Sequence, residues 1–375
     1  MSGGASADAL LPPSVVEDLV RCLTAAEPER PLPALRSGAA AVSGRALADR
    51  VRIVRDALLA DLPPGYPAFA AAVRAALAEP GFSGWMTWPV TEAVAVRALD
   101  DGTPAAFDDG LALLAELTPR LTAEFGIRSF LAADLDRALV AALSWTGCAD
   151  EHVRRLASEG TRPRLPWARR VRELLDRPEA TIPILDALHR DPSETVRRSV
   201  ANHLNDVSHS HPALATATAA RWLAGPADPR TSRLVRHALR TLVKRGDPEA
   251  LRLLGFTDAT QVVVHGPQLA ADVVPSGGEL WFDATVENRG PEPATLAIDY
   301  VVHFRKADGS LAPKVFKLAT RTLGPGGSAA FTRRQSFAPV TTRVHYPGEH
   351  AIELQVNGVR HGRATFRLDA ERLGG

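Results

Sequence analysis

Glu159, Arg162, Arg164 and Trp167 fall within nine residues of the stretch LASEGTRPRLPW, 156–167. A connector between helices needs only a glycine or a proline to break the period. A carboxylate, two arginines and a tryptophan at this density are residue types that do chemistry, since arginine pairs planar and bidentate with phosphate or carboxylate. Two further carboxylates keep similar company. Glu124 stands four residues before Arg128 in LTAEFGIRSFL, and Asp206 follows Arg198 and Asn202 at intervals of four. No HExxH, CxxC or histidine cluster at ligand spacing is present, and no P-loop, GxGxxG or GxSxG elbow. No metal or cofactor is therefore expected, and the three carboxylates remain.

Each of these patterns also has an ordinary structural meaning. Glu124 and Arg128 could be a surface salt bridge, and Arg198, Asn202 and Asp206 a solvated helix face. Trp85 and Trp88, in GWMTWP, read as core anchors near a helix end.

Charge narrows the choice. Lys+Arg is 44 and Asp+Glu 43, so the total names no partner. From Arg154 to Arg245, however, the chain carries 18 basic and 9 acidic residues, 17 of the former arginine, while residues 1–153 carry a local charge of −8. The basic span is either an anion-binding strip or arginine serving on solvated faces. Two cysteines cannot build a disulfide framework, and there is no signal peptide or membrane-length apolar run. The expectation is a cytoplasmic monomer without membrane contact.

The elements that must hold these residues change character along the chain. Residues 1–45 are Ala/Pro-rich, with a short helix expected near Val15–Leu23, and are otherwise read as a flexible, variable segment. From 46 to 255 the apolar period is helical, as in Leu47, Val51, Val54 and Leu58. RDPSETVRRSVANHLNDV and ADPRTSRLVRHALRTLVK both run Asp-Pro, Val-Arg, apolar helix, with their Asp-Pro steps 37 residues apart. That period suits a paired-helix repeat array. In the first of them Val196, Val200, Leu204 and Val207 form the core stripe.

From 256 to 375 the period becomes two. Leu280, Phe282, Ala284 and Val286 alternate, as do Leu296, Ile298, Tyr300, Val302 and Phe304, and Ile352, Leu354 and Val356 before the turn Asn357-Gly358. Six or seven strands of this kind predict an immunoglobulin-like β-sandwich. The fold class is thus α + β in two parts: a HEAT-like helical repeat solenoid, then a sandwich.

EFGIRSFL, SEGTRPRLPW and SVANHLNDVSHSHP together resemble the AlkC branch of the HEAT-like-repeat DNA glycosylases, related to AlkD, from about residue 50 to the C-terminus. The resemblance implies removal of alkylated bases from double-stranded DNA, with catalytic carboxylates at Glu124, Glu159 and Asp206. It implies that Trp167 and Arg162 line the lesion cleft and that the lesion stays largely stacked. The family's motif more often has Ala and Pro where Gly126 and Ser129 stand, and Lys where His209 stands. An N3- or N7-alkylated purine is already a cation, so the barrier lies in the positive charge developing on the sugar. Carboxylates stabilise that charge, and a tryptophan face attracts the cationic base.

On this reading Arg162 and Arg164 hold phosphates, and Arg198, Asn202 and His209 extend the DNA contact. In the sandwich, Lys306, Lys314, Lys317 and Arg334 are grouped cations that would close over the duplex. The enzyme would be a monofunctional, nucleoid-associated repair glycosylase acting on lesions such as 3-methyladenine and 3-methylcytosine. The competing reading is a non-catalytic helical-repeat scaffold that binds protein or nucleic acid.

Overall fold

Residues 10–257, 259–340 and 343–370 are described by the structure, a computed structural model. The chain divides into two compact units, 1–238 and 239–375.

The first unit is helical. It runs α1 (Pro13–Ala26), α2 (Pro33–Ala41), α3 (Leu47–Asp61), α4 (Tyr66–Leu77), α5 (Thr87–Asp101), α6 (Pro104–Leu117) and α7 (Ile127–Ala133). It continues with α8 (Leu135–Trp145), α9 (Glu151–Glu159), α10 (Glu173–Asp176), α11 (Ile182–Leu188), α12 (Glu194–Ser208), α13 (Pro212–Ala224) and α14 (Pro229–Ala238). The helices pack on others near them in the chain: α2 on α3, α3 on α5, α5 on α6, α9 on α12 and α12 on α14. This is the packing of a repeat array. The expected stripe of α12 is its core, with Val196, Val200, Leu204 and Val207 all at 1% exposure or less.

The Asp-Pro steps act locally as helix starters. The Asp191 carboxylate accepts from Ser193 N at 2.8 Å, and Asp228 accepts from Arg230 N at 2.8 Å. In α14 Pro229 takes the first helical position, where it loses nothing by lacking an N–H, while before α12 Asp191 closes a turn onto the N-cap residue Ser193.

The N-terminal segment expected to be flexible is helical from Pro13 to Ala26 and from Pro33 to Ala41, with residues 1–9 outside the described residues. The helix expected near Val15–Leu23 is α1. Val16, Leu19, Val20 and Leu23 recur at helical spacing and are buried, as is Leu35 of α2. The Ala/Pro-rich composition masked the second of these helices, α2.

The second unit opens with α15 (Arg240–Arg245) and α16 (Pro248–Leu253), followed by eight strands. These are β1 (Val262–Leu269), β2 (Val273–Val274), β3 (Glu279–Asn288), β4 (Ala294–Arg305), β5 (Leu311–Leu323), β6 (Ser328–Ser336), β7 (Gly348–Val356) and β8 (Val359–Leu368). They form a three-stranded sheet β1-β3-β6 and a five-stranded sheet β2-β8-β7-β4-β5. The residues predicted to alternate inward from β3, β4 and β7 make one core, joined by Phe337 and Phe366.

The change of apolar period placed the boundary near residue 255, and packing divides the chain at 238/239. The reason is that the outer face of β4 and β7 is also buried. Ala297 packs with Leu251 and Phe256, and Gln355 Nε2 donates to the Lys244 carbonyl at 2.8 Å. The β7–β8 turn completes the seam. Asn357 and Gly358 have φ of 45° and 84°, as a two-residue hairpin turn requires. A Cβ at Gly358 would collide with the backbone of Gly246, which itself has a φ of 73°.

Gly358→Ala should therefore destabilise the second unit by about 2 kcal/mol or more, from lost close approach and left-handed strain together. The loss should appear as a lowered midpoint for the sandwich signal in chemical denaturation of the full chain, with the helical signal unmoved.

Candidate active site

The loop that follows α9 is pinned from below by two buried side chains. Arg128, on α7 and 2% exposed, donates from Nη1 to the carbonyls of Gly160 at 2.9 Å and Arg162 at 2.8 Å, and from Nε to that of Arg169 at 3.1 Å. Burial, helped by the Arg162 charge, holds its pKa down to about 10. His203, on α12 and fully buried, donates from Nδ1 to the Ser158 carbonyl at 2.9 Å, while Nε2 faces the Thr181 hydroxyl at 3.1 Å. Complete burial pushes this imidazole down to about 3, so it is neutral.

On that fixed backbone the acidic and basic side chains interlock. Arg162 Nε and Nη2 bond the two oxygens of Asp206 at 2.9 and 3.2 Å, and Nη1 bonds Glu159 Oε1 at 2.7 Å. All three residues are 6–8% exposed. Ser199 donates to the other Glu159 oxygen at 2.6 Å. Arg155 bonds Glu124 at 3.0 Å and stands 3.7 Å from Glu159, and the Thr122 hydroxyl also bonds Glu124 at 2.9 Å. Burial raises the Asp206 carboxyl above the ordinary range, against the opposing pull of Arg162. Arg162 itself is held above its usual value: burial would lower it, but its bonds to Asp206 and Glu159 outweigh that.

Trp167 stands at the end of the loop with φ 63° and 69% exposure. A bulky side chain in the left-handed region costs on the order of 1–3 kcal/mol, a strain that gathers at functional sites. With Trp85, Glu124, Phe125, Glu159 and Arg162 it lines a cavity of about 250 Å³. Three segments distant in sequence thus deliver two carboxylates and an exposed indole to one cleft, and the Arg162 clamp ties the third carboxylate, Asp206, to its wall.

Several expectations change at this point. Glu124 and Arg128 do not pair: Glu124 lies in the turn before α7, so helical i,i+4 spacing does not apply, and each finds another partner. The guanidinium of Arg162 is spent on two carboxylates, so it clamps them where a phosphate contact was expected. Arg164 is half-buried and donates to Ser210 Oγ at 2.9 Å.

The polar stripe of α12 is shifted by one residue. Ser199, His203 and Asp206, at i, i+4 and i+7, form the buried polar face, at 2%, 0% and 6% exposure. Arg198 and Asn202 lie beside it; Arg198 is exposed and bonds Glu194, and Asn202 bonds His237. His209 is exposed at the end of α12. Trp88 is core, stacked on Phe125 at 3.9 Å, but Trp85 lines the cleft, because a 3-10 turn at Gly84–Met86 separates their directions.

Sequence reasoning missed Arg155, Ser199, His203 and Trp85. Of these, Arg155 was visible as the residue four before Glu159. The glycine that departs from the family's motif has a local cause, since a Cβ at Gly126 would lie 2.7 Å from the Thr91 carbonyl oxygen.

The four sandwich cations do not form one patch. Lys314 is in register with Val302 and lies over the Phe316 ring, whereas Lys317 is in register with Asp299 on the opposite face. Arg334 is in the other sheet, paired with Glu279 at 2.6 Å, and Lys306 is in the β4–β5 turn. Strand alternation separates what sequence proximity grouped.

Comparison with known proteins supplies independent context. A family model described as the C-terminal Ig-like domain of the uncharacterised protein YhaZ matches residues 263–370. YhaZ of Bacillus subtilis (strain 168) is 36% identical over 264 residues, 70% of this chain and 73% of that protein. The alkylpurine DNA glycosylase AlkC of Pseudomonas fluorescens, solved bound to DNA containing an abasic site analog, superposes with a TM-score of 0.88 at 35% identity. The match covers 98% of this chain and all of that one.

The neutral His203 makes a pH prediction. Its pKa is near 3 folded and about 6.5 unfolded. The unfolded chain therefore takes up a proton first on acidification. His203 costs no stability above pH 6.5, and stability is lost as pH falls toward 3, by up to about 1.4 kcal/mol per unit. Chemical denaturation of the protein and of His203→Gln should show a shallower loss between pH 7.5 and 5 in the variant. Equal slopes would mean the imidazole is not buried neutral.

Proposed function

Because the chain belongs to the AlkC family of alkylpurine DNA glycosylases, we propose that it releases cationic N-alkylated bases, 3-methyladenine first and 3-methylcytosine second, from duplex DNA by hydrolysis of the N-glycosidic bond. The observation that carries this reading is the convergence of Glu124, Glu159 and Asp206, which reach one cleft and its wall beside an exposed, strained Trp167.

The arrangement suits the chemistry. A cationic base needs no strong acid to leave, so the requirement is negative charge near the sugar as it becomes oxocarbenium-like. The Arg162 bonds oppose the burial that raises the Asp206 carboxyl, and Arg162 and Ser199 together fix the orientation of Glu159. The same carboxylates orient the attacking water. Trp167 presents its face to the cationic base. Residues 1–243 contain no lysine, so the helical array offers no side-chain amine for a Schiff base, and the reaction is simple hydrolysis. Arg164, Arg198, Asn202 and His209 contact the flanking backbone. Among the described residues no helix is long and apolar enough to cross a membrane. The protein acts as a single copy at the chromosome.

Free base released from methylated duplex DNA is the direct measurement. Glu159→Gln and Asp206→Asn should each lower single-turnover release by roughly 100- to 1,000-fold while duplex binding survives. Near-normal release in both would remove these carboxylates from the reaction, whereas no release by the unaltered protein would favour the scaffold reading.

A second expectation concerns pH. Asp206 must be ionised, and burial raises its carboxyl. Release should therefore decline on acidification at a pH above the usual aspartate value, and the rate–pH profile of the intact protein should show that limb.

A further inference from the structure

A second cavity, of about 280 Å³, lies beside the catalytic cleft. Arg55 lines it from α3, Trp88 and Glu92 from α5, Phe125 from the turn before α7, and Trp167 and Arg169 from the loop after α9. Phe125 and Trp167 line the cleft as well, so the two spaces share a wall. Trp88 is stacked on Phe125 with ring centroids 3.9 Å apart, which holds that wall in place.

The two cavities differ in what they offer a ligand. The cleft presents the carboxylates of Glu124 and Glu159, the latter bonded to Arg162. The second cavity sets donors and an acceptor side by side on an aromatic lining. Glu92 Oε1 accepts from Trp88 Nε1 at 2.8 Å, and Oε2 stands 3.6 Å from Arg55 Nη1, beyond hydrogen-bond length. Burial raises the Glu92 carboxyl, against the opposing bond from Trp88. Arg169 is exposed and adds further donors.

We propose that this cavity receives the alkylated base after its release, as a site for a neutral methylated purine. The proposal rests on the glycosylase reading above and adds where the product goes. When the N-glycosidic bond breaks, its electron pair stays on the base and cancels the positive charge of the ring. Water adds its oxygen to the sugar and gives one proton to solvent. The carboxylates of the cleft have then lost the cation they attract. A neutral purine has flat apolar faces, an exocyclic amine that donates and ring nitrogens that accept. The second cavity answers each of these: the rings of Trp88, Phe125 and Trp167, the second oxygen of Glu92, and the guanidiniums of Arg55 and Arg169. A few polar groups converging on an aromatic-lined hollow are the usual form of a small-molecule site, and the volume is close to the lower bound of about 300 Å³ for such sites. The shared wall puts the cavity next to the place where the bond breaks.

The test is a ligand-observed NMR titration of the intact protein with free 3-methyladenine. Binding should have a Kd on the order of 1 mM, as suits a ligand of so few atoms. Ala48 is exposed and also lines the cavity, so Ala48→Phe plugs it from the surface and should weaken binding tenfold or more. Glu124→Gln, in the cleft, should leave the Kd within about twofold, and thermal melts confirm that both variants fold. Absence of binding, equal binding by Ala48→Phe, or a tenfold loss in Glu124→Gln overturns the site. Base release from methylated duplex DNA by the unaltered protein, assayed in parallel, separates the two readings. Release without binding of the free base overturns the cavity site alone. Binding that Ala48→Phe abolishes, without any release, leaves a purine site standing and overturns the glycosylase.

Discussion

The guanidinium of Arg162 holds two carboxylates in one place, and the rest of the catalytic unit is arranged to make that possible. Two buried acids so close to one another repel, and each one loses hydration. A planar cation with donors in fixed directions satisfies both, with two bonds to Asp206 and one to Glu159. Desolvation makes such a buried pair a poor source of net stability, and loss of one partner a large cost, about 3–5 kcal/mol. The arrangement is better understood as a device for keeping anions in a nearly dry wall, ready for a positive charge that arises only during reaction.

That device needs a rigid frame, which the loop itself lacks. Residues 160–172 form no helix or strand. Their backbone carbonyls are instead held by Arg128 from α7, while His203 from α12 holds the adjoining end of α9. Both are polar groups in an apolar interior, satisfied by carbonyls that would otherwise go unpaired. The clamps explain how Trp167 can be kept in a left-handed backbone conformation with its ring exposed: the strain is local, and the anchored segment before it cannot relax.

Arginine serves two ends in this chain, and the sequence does not separate them. In the cleft it is internal, holding carboxylates in fixed positions. On the outer faces of α12 and α14 it is external, as at Arg198 and Arg233, which are exposed to solvent. The local charge of +9 between residues 154 and 245 sums both populations. A count of basic residues therefore overstates the surface available to an anion, and only the partner of each guanidinium shows which side it is on.

The amino-acid sequence by itself determined the elements and their order. The helical period of Val196, Val200, Leu204 and Val207, the alternation of Leu296 through Phe304, and the turn at Asn357-Gly358 each follow from local geometry, and each is where it was expected. The motifs around Glu124, Glu159 and Asp206 were also legible, because unusual residue types concentrated in short stretches leave a trace that needs no fold. The partners of those residues were not. Arg128 had a carboxylate four residues away yet bonds carbonyls more than 30 positions on, and the face of α12 that matters is one residue from the stripe that charge suggested. Nor could composition place α15 and α16 with the sandwich. Period and turn chemistry are short-range and can be read along the chain. Which guanidinium meets which carboxylate is decided where distant segments are brought together, by the desolvation that forces every buried charge to find a partner.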